Sequence, residues 1–333
     1  MSFIHYMEQE LGPAKYSLSG AEASWDCPFC TDRRKRFRMN RYKLLAWCFN
    51  CEWRGNAIAF VKDYKQTNWK NSLDIVNFYQ EFQPLPNSIY EEVFEKILLE
   101  GDPDTRKNYI PLPSDFNLLS ESKSIVSERF KKYLKRRNVT NKQIDTHGMG
   151  YCLEGIVELG QNKRTKLNNH VFIQSFDDDL KTPNYWMART ISDNVQPKVF
   201  NPVGGINTIN KSDVVFNLNN AKKTGFAIIT EGVFDSLTVG ESGVCLFGKT
   251  LSINQLLLLI KADLESIYIM LDSDARGNAV KIANELQKHI GQVYLCDIRQ
   301  GDPNEIGRKG CLQLIKDAEK YSNLTALKFK LNS

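Results

Sequence analysis

From about residue 223 onward the chain alternates two patterns. Short apolar runs at Gly225–Thr230, Val244–Gly248, Ser266–Asp272 and Gln292–Asp297 read as buried strands. Between them, Phe234–Ser242, Ser252–Ala262 and Arg276–His289 carry apolar residues at helical spacing. Strand–helix alternation of this kind predicts a mainly parallel sheet flanked by helices. Residues 116–222 read otherwise: two short helices and a turn within 129–151, then strands at His170–Phe176 and Tyr185–Ile191. Residues 66–115 are rich in proline and polar residues around a short helical pattern at Tyr90–Leu99, and read as a connector.

Four of the eight cysteines and three of the five tryptophans fall within residues 1–65. The expected organisation is therefore a zinc ribbon of small β character at 1–65 and a linker at 66–115. An α+β core follows, with a basic subdomain at 116–222, an α/β subdomain at 223–310 and a C-terminal tail at 311–333. A length of 333 residues suits two or three domains, and 42% hydrophobic with 25% charged residues suits an ordinary globular protein. The longest aliphatic run, Leu256–Ile260, is too short to cross a bilayer, and no secretory signal is expected. The expected setting is cytoplasmic, where thiols stay reduced and the cysteines need a reason other than disulfides.

Cys27-Pro-Phe-Cys30 and Cys48-Phe-Asn-Cys51 supply that reason. They are two C-x-x-C pairs separated by seventeen residues, each suited to a tight turn that points two thiolates at one ion. Soft sulfur ligands in a closed tetrahedron favour structural Zn²⁺. Cys152, Cys245, Cys296 and Cys311 are isolated and read as small core residues. The net charge is only +5, but seven cations (Arg33, Arg34, Lys35, Arg36, Arg38, Arg41 and Lys43) lie within eleven residues inside the cysteine hairpin. A run like this is often no more than a solvated loop. On a rigid hairpin, with Phe37, Tyr42 and Trp47 interleaved, single-stranded DNA is the better reading: cations neutralise phosphates and aromatic faces stack on unpaired bases.

The second cluster is acidic. Glu231-Gly232 closes one apolar run, with Asp235 in the following helical turn, and Asp272 and Asp274 close another. In extended chain, positions i and i+2 point to one side. Ligand sites in open parallel sheets lie at the carboxyl ends of strands. Oxygen ligands without histidine or cysteine suit Mg²⁺ or Mn²⁺. Gly243–Thr250 formally fits a phosphate loop, but its inner residues, Val-Cys-Leu-Phe, read as a buried strand, so an ATPase is not expected. The four histidines sit in no ligand spacing.

Those residues carry a resemblance. "ITEGVFDSL" followed by "IMLDSDARGNAV" resembles the TOPRIM domain shared by bacterial-type primases, topoisomerases and some nucleases. "CPFC" to "CFNCEWRGNAIAFV" is similar to the primase zinc ribbon. "YLKRRNVTNKQIDTHGMGY" is similar to the element that opens the polymerase core. "NHVFIQSFDDD", "YWMARTI" and "PKVFNP" resemble the basic motifs, with Arg189, Lys198 and Asn201 at matching positions. "CLFGKTLSINQL" and "QGDPNE" resemble the later motifs, with Asp302 in the last. The match spans about residues 20–310 and is closest in style to short bacteriophage primases of the bacterial (DnaG-like) type. All four zinc ligands are cysteine here, whereas bacterial members often use a histidine.

The resemblance implies a DNA primase, a nucleotidyltransferase that makes RNA primers from ribonucleoside triphosphates on single-stranded DNA during replication. It implies that Glu231, Asp272 and Asp274 hold the catalytic metal, with Asp235 and Asp302 near. Arg189 and Lys198 contact phosphates, and Lys249 and Asn201 approach the nucleotide. The RNA primer and a replicative helicase in a separate chain are the further partners implied; no membrane is. The alternatives are a TOPRIM nuclease and a non-catalytic zinc/TOPRIM recombination protein. A topoisomerase needs a further domain with an active tyrosine.

Overall fold

The computed structural model describes residues 2–17, 20–79, 96–97, 107–159, 163–205 and 208–331. Two compact units divide the chain, Met1–Arg106 and Lys107–Ser333. The expected helix at Tyr90–Leu99 lies outside the described residues except for Lys96 and Ile97.

The first unit opens with helix α1 (Phe3–Leu11). Strands β1 (Lys15–Tyr16), β2 (Glu22–Trp25), β3 (Phe37–Asn40), β4 (Leu45–Cys48) and β5 (Arg54–Asn56) follow as one antiparallel meander. Side chains alternate across a strand. Trp25, Phe37 and Cys48 pair across β2, β3 and β4 and face inward, whereas Ser24, Arg38, Trp47 and Arg54 form the facing outer row. Asn56 then caps α2 (Ala57–Lys65), its Oδ1 accepting from Ile58 N and Ala59 N at 3.0 and 2.9 Å. Helix α3 (Trp69–Tyr79) buries Ser72, Leu73 and Val76. The ordered unit thus continues past residue 65, where a connector was expected.

The second unit holds two further five-stranded sheets. The first is antiparallel: β6 (Asn117–Leu118), β7 (Gly150–Glu158), β8 (Arg164–Phe176), β9 (Pro183–Thr190) and β10 (Val199–Phe200), paired in chain order. Two helices lie between β6 and β7: α4 (Ile125–Arg136), capped by Ser124, and α5 (Asn141–Thr146), opened by a Thr140/Gln143 capping box. Then come α6 (Leu218–Thr224), β11 (Phe226–Thr230), α7 (Val233–Val239), β12 (Gly243–Cys245) and α8 (Ile253–Lys261). After them are β13 (Ser266–Ile269), a 3₁₀ turn (Ser273–Ala275), α9 (Arg276–Gln287), β14 (Val293–Leu295), α10 (Pro303–Lys316), β15 (Glu319–Lys320) and α11 (Asn323–Leu331). The sheet order is β12-β11-β13-β14-β15; the first four strands are parallel and β15 is antiparallel. A mainly parallel sheet was the expectation.

Two boundaries differ from those read in the sequence. One core cluster joins Phe130, Leu134 and Ile144 to Tyr151, Val171 and Tyr185, and these to Val233, Phe234, Leu237 and Phe247. Residues 116–222 and 223–310 therefore bury their apolar faces against each other. The tail expected from residue 311 packs onto the sheet: Cys311 is buried, β15 extends the sheet, and Ala326 and Phe329 of α11 are buried. Cys152, Cys245 and Cys296 are also buried, as small core residues. No helix among the described residues is long and apolar enough to cross a membrane.

Candidate active site and zinc centre

The ribbon sulfurs converge. One sulfur each of Cys27, Cys30, Cys48 and Cys51 lies within 4.8 Å of all the others. Cys27 and Cys51 are 3.8 Å apart, and Cys30 and Cys48 are 4.0 Å apart. A zinc–sulfur bond of about 2.3 Å makes the edge of a tetrahedron about 3.8 Å, so the spacing fits the ion. Donors are aimed at the sulfurs: Phe29 N at Cys27, Asn50 N at Cys48 (both 3.4 Å) and Asn50 Nδ2 at Cys30 (3.6 Å). Donors of this kind support thiolates. The Asp32 backbone N–H and the Asn50 side chain lower the Cys30 thiol to about 7, while burial pushes Cys27 up. Phe29, between the first two ligands, stacks on Trp53 at 4.6 Å and packs edge-on against Phe37 and Phe60.

The basic run divides by face and by partner. Arg36 is held by Asp32 at 2.7 Å and by Asn50, and Arg41 lies over the Tyr16 ring and donates to Gly20 O. Arg38 lies over Phe49, 5.1 Å from its centroid, and Trp47 meets Phe49 edge-on. Tyr42 and Phe49 are exposed. Phe37, expected among the DNA-facing aromatics, is instead fully buried. It alternates with Arg38 along β3, so only one of the two can face solvent. The outer row Arg38–Trp47–Arg54, with Phe49 beside it, forms an aromatic and cationic surface, in which Arg38 also reaches Glu22 at 3.4 Å.

The acidic residues meet at neighbouring strand tips. β11 and β13 are adjacent and parallel, and Glu231 and Asp272 follow their carboxyl ends. One carboxylate oxygen each of Glu231, Asp272 and Asp274 lies within 4.8 Å of the other two. Asp272 and Asp274 do not converge through extended chain, as their spacing suggested; the 3₁₀ turn that begins at Ser273 folds them together. Glu231 Oε1 accepts from Asp272 N at 3.3 Å. Its backbone oxygen accepts from Gly248 N at 3.0 Å, which anchors the loop leading to Lys249. The Lys249 charge favours ionised Glu231, against the larger effect of burial, which raises its pKa.

Asp235 sits in the first turn of α7, and its Oδ2 accepts from Gly232 N at 3.2 Å. A Cβ on Gly232 would lie 2.6 Å from that oxygen and would push the Asp235 carboxylate aside. Asn304 N donates to Asp235 Oδ1 at 3.3 Å, and Asp302 caps α10 by accepting from Glu305 N at 2.8 Å. Burial, then the Asp302 charge, raises Asp235 to about 7; burial, then the Glu231 charge, raises Asp272 to about 7. Asp272 Oδ1 is buried without a hydrogen-bond partner. Crowded carboxylates, raised pKa values and an orphaned oxygen together fit a hard divalent cation.

Arg189 on β9 donates from Nε to Tyr133 Oη at 2.9 Å, and its guanidinium lies 5.6 Å from the Phe234 ring, between Gly232 and Asp235 in the chain's order of residues. β10 pairs with β9, Val199 opposite Arg189, so Lys198 and Asn201 flank the strand beside it; Asn201 Oδ1 is buried and unpartnered. They stand outside the carboxylate trio. Sequence reasoning did not single out Arg137 or Asn304. Arg137 also lies over Phe234, at 5.5 Å, and donates to Asn304 Oδ1 at 3.4 Å. Arg137 sits in an unbroken run of cations at the end of α4, and nothing in that run marks it out.

Comparisons with known proteins agree with this layout. Residues 14–83 match the CHC2 zinc finger family. A DNA primase of Aquifex aeolicus is 27% identical over 319 residues, covering 86% of this chain and 61% of that protein. The chain thus spans about three-fifths of that relative's length. The zinc-binding and RNA polymerase domains of the Aquifex aeolicus primase superpose with a TM-score of 0.52 at 20% identity, over 96% of this chain and 84% of theirs. A DnaG primase catalytic domain bound to single-stranded DNA superposes at 0.51 and 15% identity, over 63% of this chain and 76% of its own. With a matching zinc ribbon, sequence similarity along most of its length and the same core fold, the chain resembles the bacterial-type, DnaG-like DNA primases.

Proposed function

We propose that this chain is a DNA primase, which joins ribonucleoside triphosphates into a short RNA primer on a single-stranded DNA template. The observation that carries the reading is the meeting of Glu231, Asp272 and Asp274 at two adjoining parallel strand tips. Those three residues hold the catalytic metal in this reading. When bound, Mg²⁺ or Mn²⁺ ions activate a ribose 3′-hydroxyl and neutralise charge on the triphosphate and the departing pyrophosphate.

The chain's own residues do the rest. Asp235 and Asp302 add negative charge behind the trio and strengthen its hold on cations. Arg189, fixed by Tyr133 and Phe234, offers a planar two-point contact to a phosphate of template, primer or nucleotide. Lys198 and Lys249 act on phosphates as point charges, and Asn201 offers a polar contact to the nucleotide. Within the ribbon, Arg38, Trp47 and Arg54 bind the template by phosphate neutralisation and base stacking. Single-stranded DNA is the ligand of one structurally similar catalytic domain, which supports the same template here. A replicative helicase, as a separate chain, completes the partner set.

The test is synthesis from labelled ribonucleotides on single-stranded DNA with Mg²⁺ or Mn²⁺. Short RNA products are expected from the natural chain. Asp272→Ala is expected to lower the rate by about 10³-fold, equal to about 4 kcal/mol of barrier. Near-normal primer synthesis by that variant would remove the metal assignment. Cut DNA in place of RNA would make the protein a nuclease.

A further inference from the structure

Arg276 is an unusual residue for its place. It opens α9, a twelve-residue helix, at the end where the helix dipole disfavours a cation, and it is only 8% exposed. Its Nη2 donates to Ile298 O at 3.2 Å and lies at ion-pair distance, 2.6 Å, from Asp297 Oδ1, which accepts no hydrogen bond; Nη1 is buried without a partner. The buried ring of Phe329, on α11, covers the guanidinium at 5.7 Å. A buried ion pair is weak evidence of stabilisation, because desolvation offsets most of the attraction. Its effect on geometry needs a separate account.

The two ends of this pair belong to two acidic loops. Arg276 follows Asp272 and Asp274 through the 3₁₀ turn Ser273–Ala275, which Ala275 N closes onto Asp272 O at 2.9 Å. Asp297 and Ile298 begin the loop that ends at Asp302. A second tether joins the same loops, from Ser273 N to Gly301 O at 3.1 Å. The short stiff turn carries any displacement of Arg276 to the carboxylates two and four residues before it.

The geometry points to Arg276 and Asp297 as a positioning clamp, one that sets the Asp272–Asp274 turn against the Asp302 loop and so fixes the spacing of the metal-holding carboxylates. Phe329 covers the guanidinium half of the clamp, which gives the C-terminal helix a part in the metal site. The inference rests on the reading of Glu231, Asp272 and Asp274 as a divalent-cation site. Groups that orient metal ligands without touching the ion typically change metal affinity by 10–100-fold when lost.

The experiment measures Mn²⁺ binding to the zinc-loaded full chain by calorimetry, without nucleotide, beside thermal unfolding. Arg276→Met combined with Asp297→Leu removes the clamp, leaves the net charge unaltered and buries no lone ion. This double variant is expected to unfold within a few degrees of the natural chain and to bind Mn²⁺ about 10-fold more weakly. Arg276→Lys keeps the charge but loses the guanidinium nitrogen that reaches both Asp297 and Ile298, and is expected to weaken Mn²⁺ binding in the same direction; it decides the matter if the double variant does not fold. Unchanged Mn²⁺ affinity in either folded variant overturns the clamp. Asp272→Asn separates the two levels of the inference. If it weakens Mn²⁺ binding while the clamp variants do not, only the clamp fails. If it leaves binding untouched, the metal site fails and the clamp with it.

Discussion

The ribbon and the acidic sheet both gather side chains of metal-ligand chemistry, but they do so in opposite ways. The ribbon is an antiparallel meander, and its four ligands lie within twenty-five residues of chain, at the ends of neighbouring turns. The acidic trio draws on two parallel strands whose ligands stand forty-one positions apart, joined through a helix, a third strand and another helix. The first unit has an apolar core of its own, with Trp25, Phe37, Ile58 and Phe60 buried, and zinc adds folding free energy where the four thiolates meet. The carboxylates repel one another and stand beside a large apolar core. The first arrangement is local in the chain; the second is assembled by the fold from distant strands.

The largest effect should come from withdrawing zinc. Structural zinc contributes on the order of 10 kcal/mol or more to small domains of this kind. Cys48→Ser, or a strong chelator, is expected to abolish zinc binding and melt the sheet of the first unit. Trp53, stacked on Phe29 between two ligands, reports this by fluorescence. Thermal unfolding of the second unit should stay where it was. Retained zinc in the serine variant, or a second unit that melts along with the first, would erase the contrast.

The contrast also explains what could be read from the sequence. Paired C-x-x-C spacing is local, so the ribbon ligands were legible. The parallel strands were legible as apolar runs, and their acidic ends were plain. Strand β7 was not: Gly150 and Gly155 interrupt it, and exposed Leu153 and Ile156 break its alternation. Helix α3 reads as a connector because most of its residues are polar or half-buried and only Ser72, Leu73 and Val76 carry its packing. The shared core of 116–222 and 223–310 was invisible because helix and sheet faces do not name their partners in sequence. Arg137, Asn304 and Arg276 gain their places only through contacts far along the chain.

A second prediction concerns acid. In the second unit, His147 is buried against Phe216, and burial lowers its pKa from 6.5 to about 4. The native state therefore refuses a proton that the unfolded state accepts. Stability from this group is complete above pH 6.5 and is lost as pH falls toward 4. The shift corresponds to a loss on the order of 3 kcal/mol at the acid end. His147→Gln should flatten the dependence of second-unit unfolding on pH between 4 and 6.5, whatever it costs at neutral pH. An unaltered slope in that variant would place the acid sensitivity elsewhere.

The smallest expected effect separates recognition from folding within the ribbon. Trp47 is half-buried on the outer face, between Arg38 and Arg54 in register, and takes no part in the inward row of Trp25, Phe37 and Cys48. Trp47→Ala should therefore leave zinc content and unfolding unchanged. It should weaken single-stranded DNA binding by about 10-fold, since stacking on an aromatic ring contributes roughly 1–3 kcal/mol per base. The salt dependence should not change, because no cation is lost. Arg38→Ala should do the reverse, lowering the logarithmic salt slope by about 1 with less loss at low salt. If both variants change affinity and slope alike, the row is a diffuse cationic surface in which the ring does not stack on a base. If Trp47→Ala instead releases zinc, the residue belongs to the ribbon's fold, and recognition and folding are not separable on that sheet.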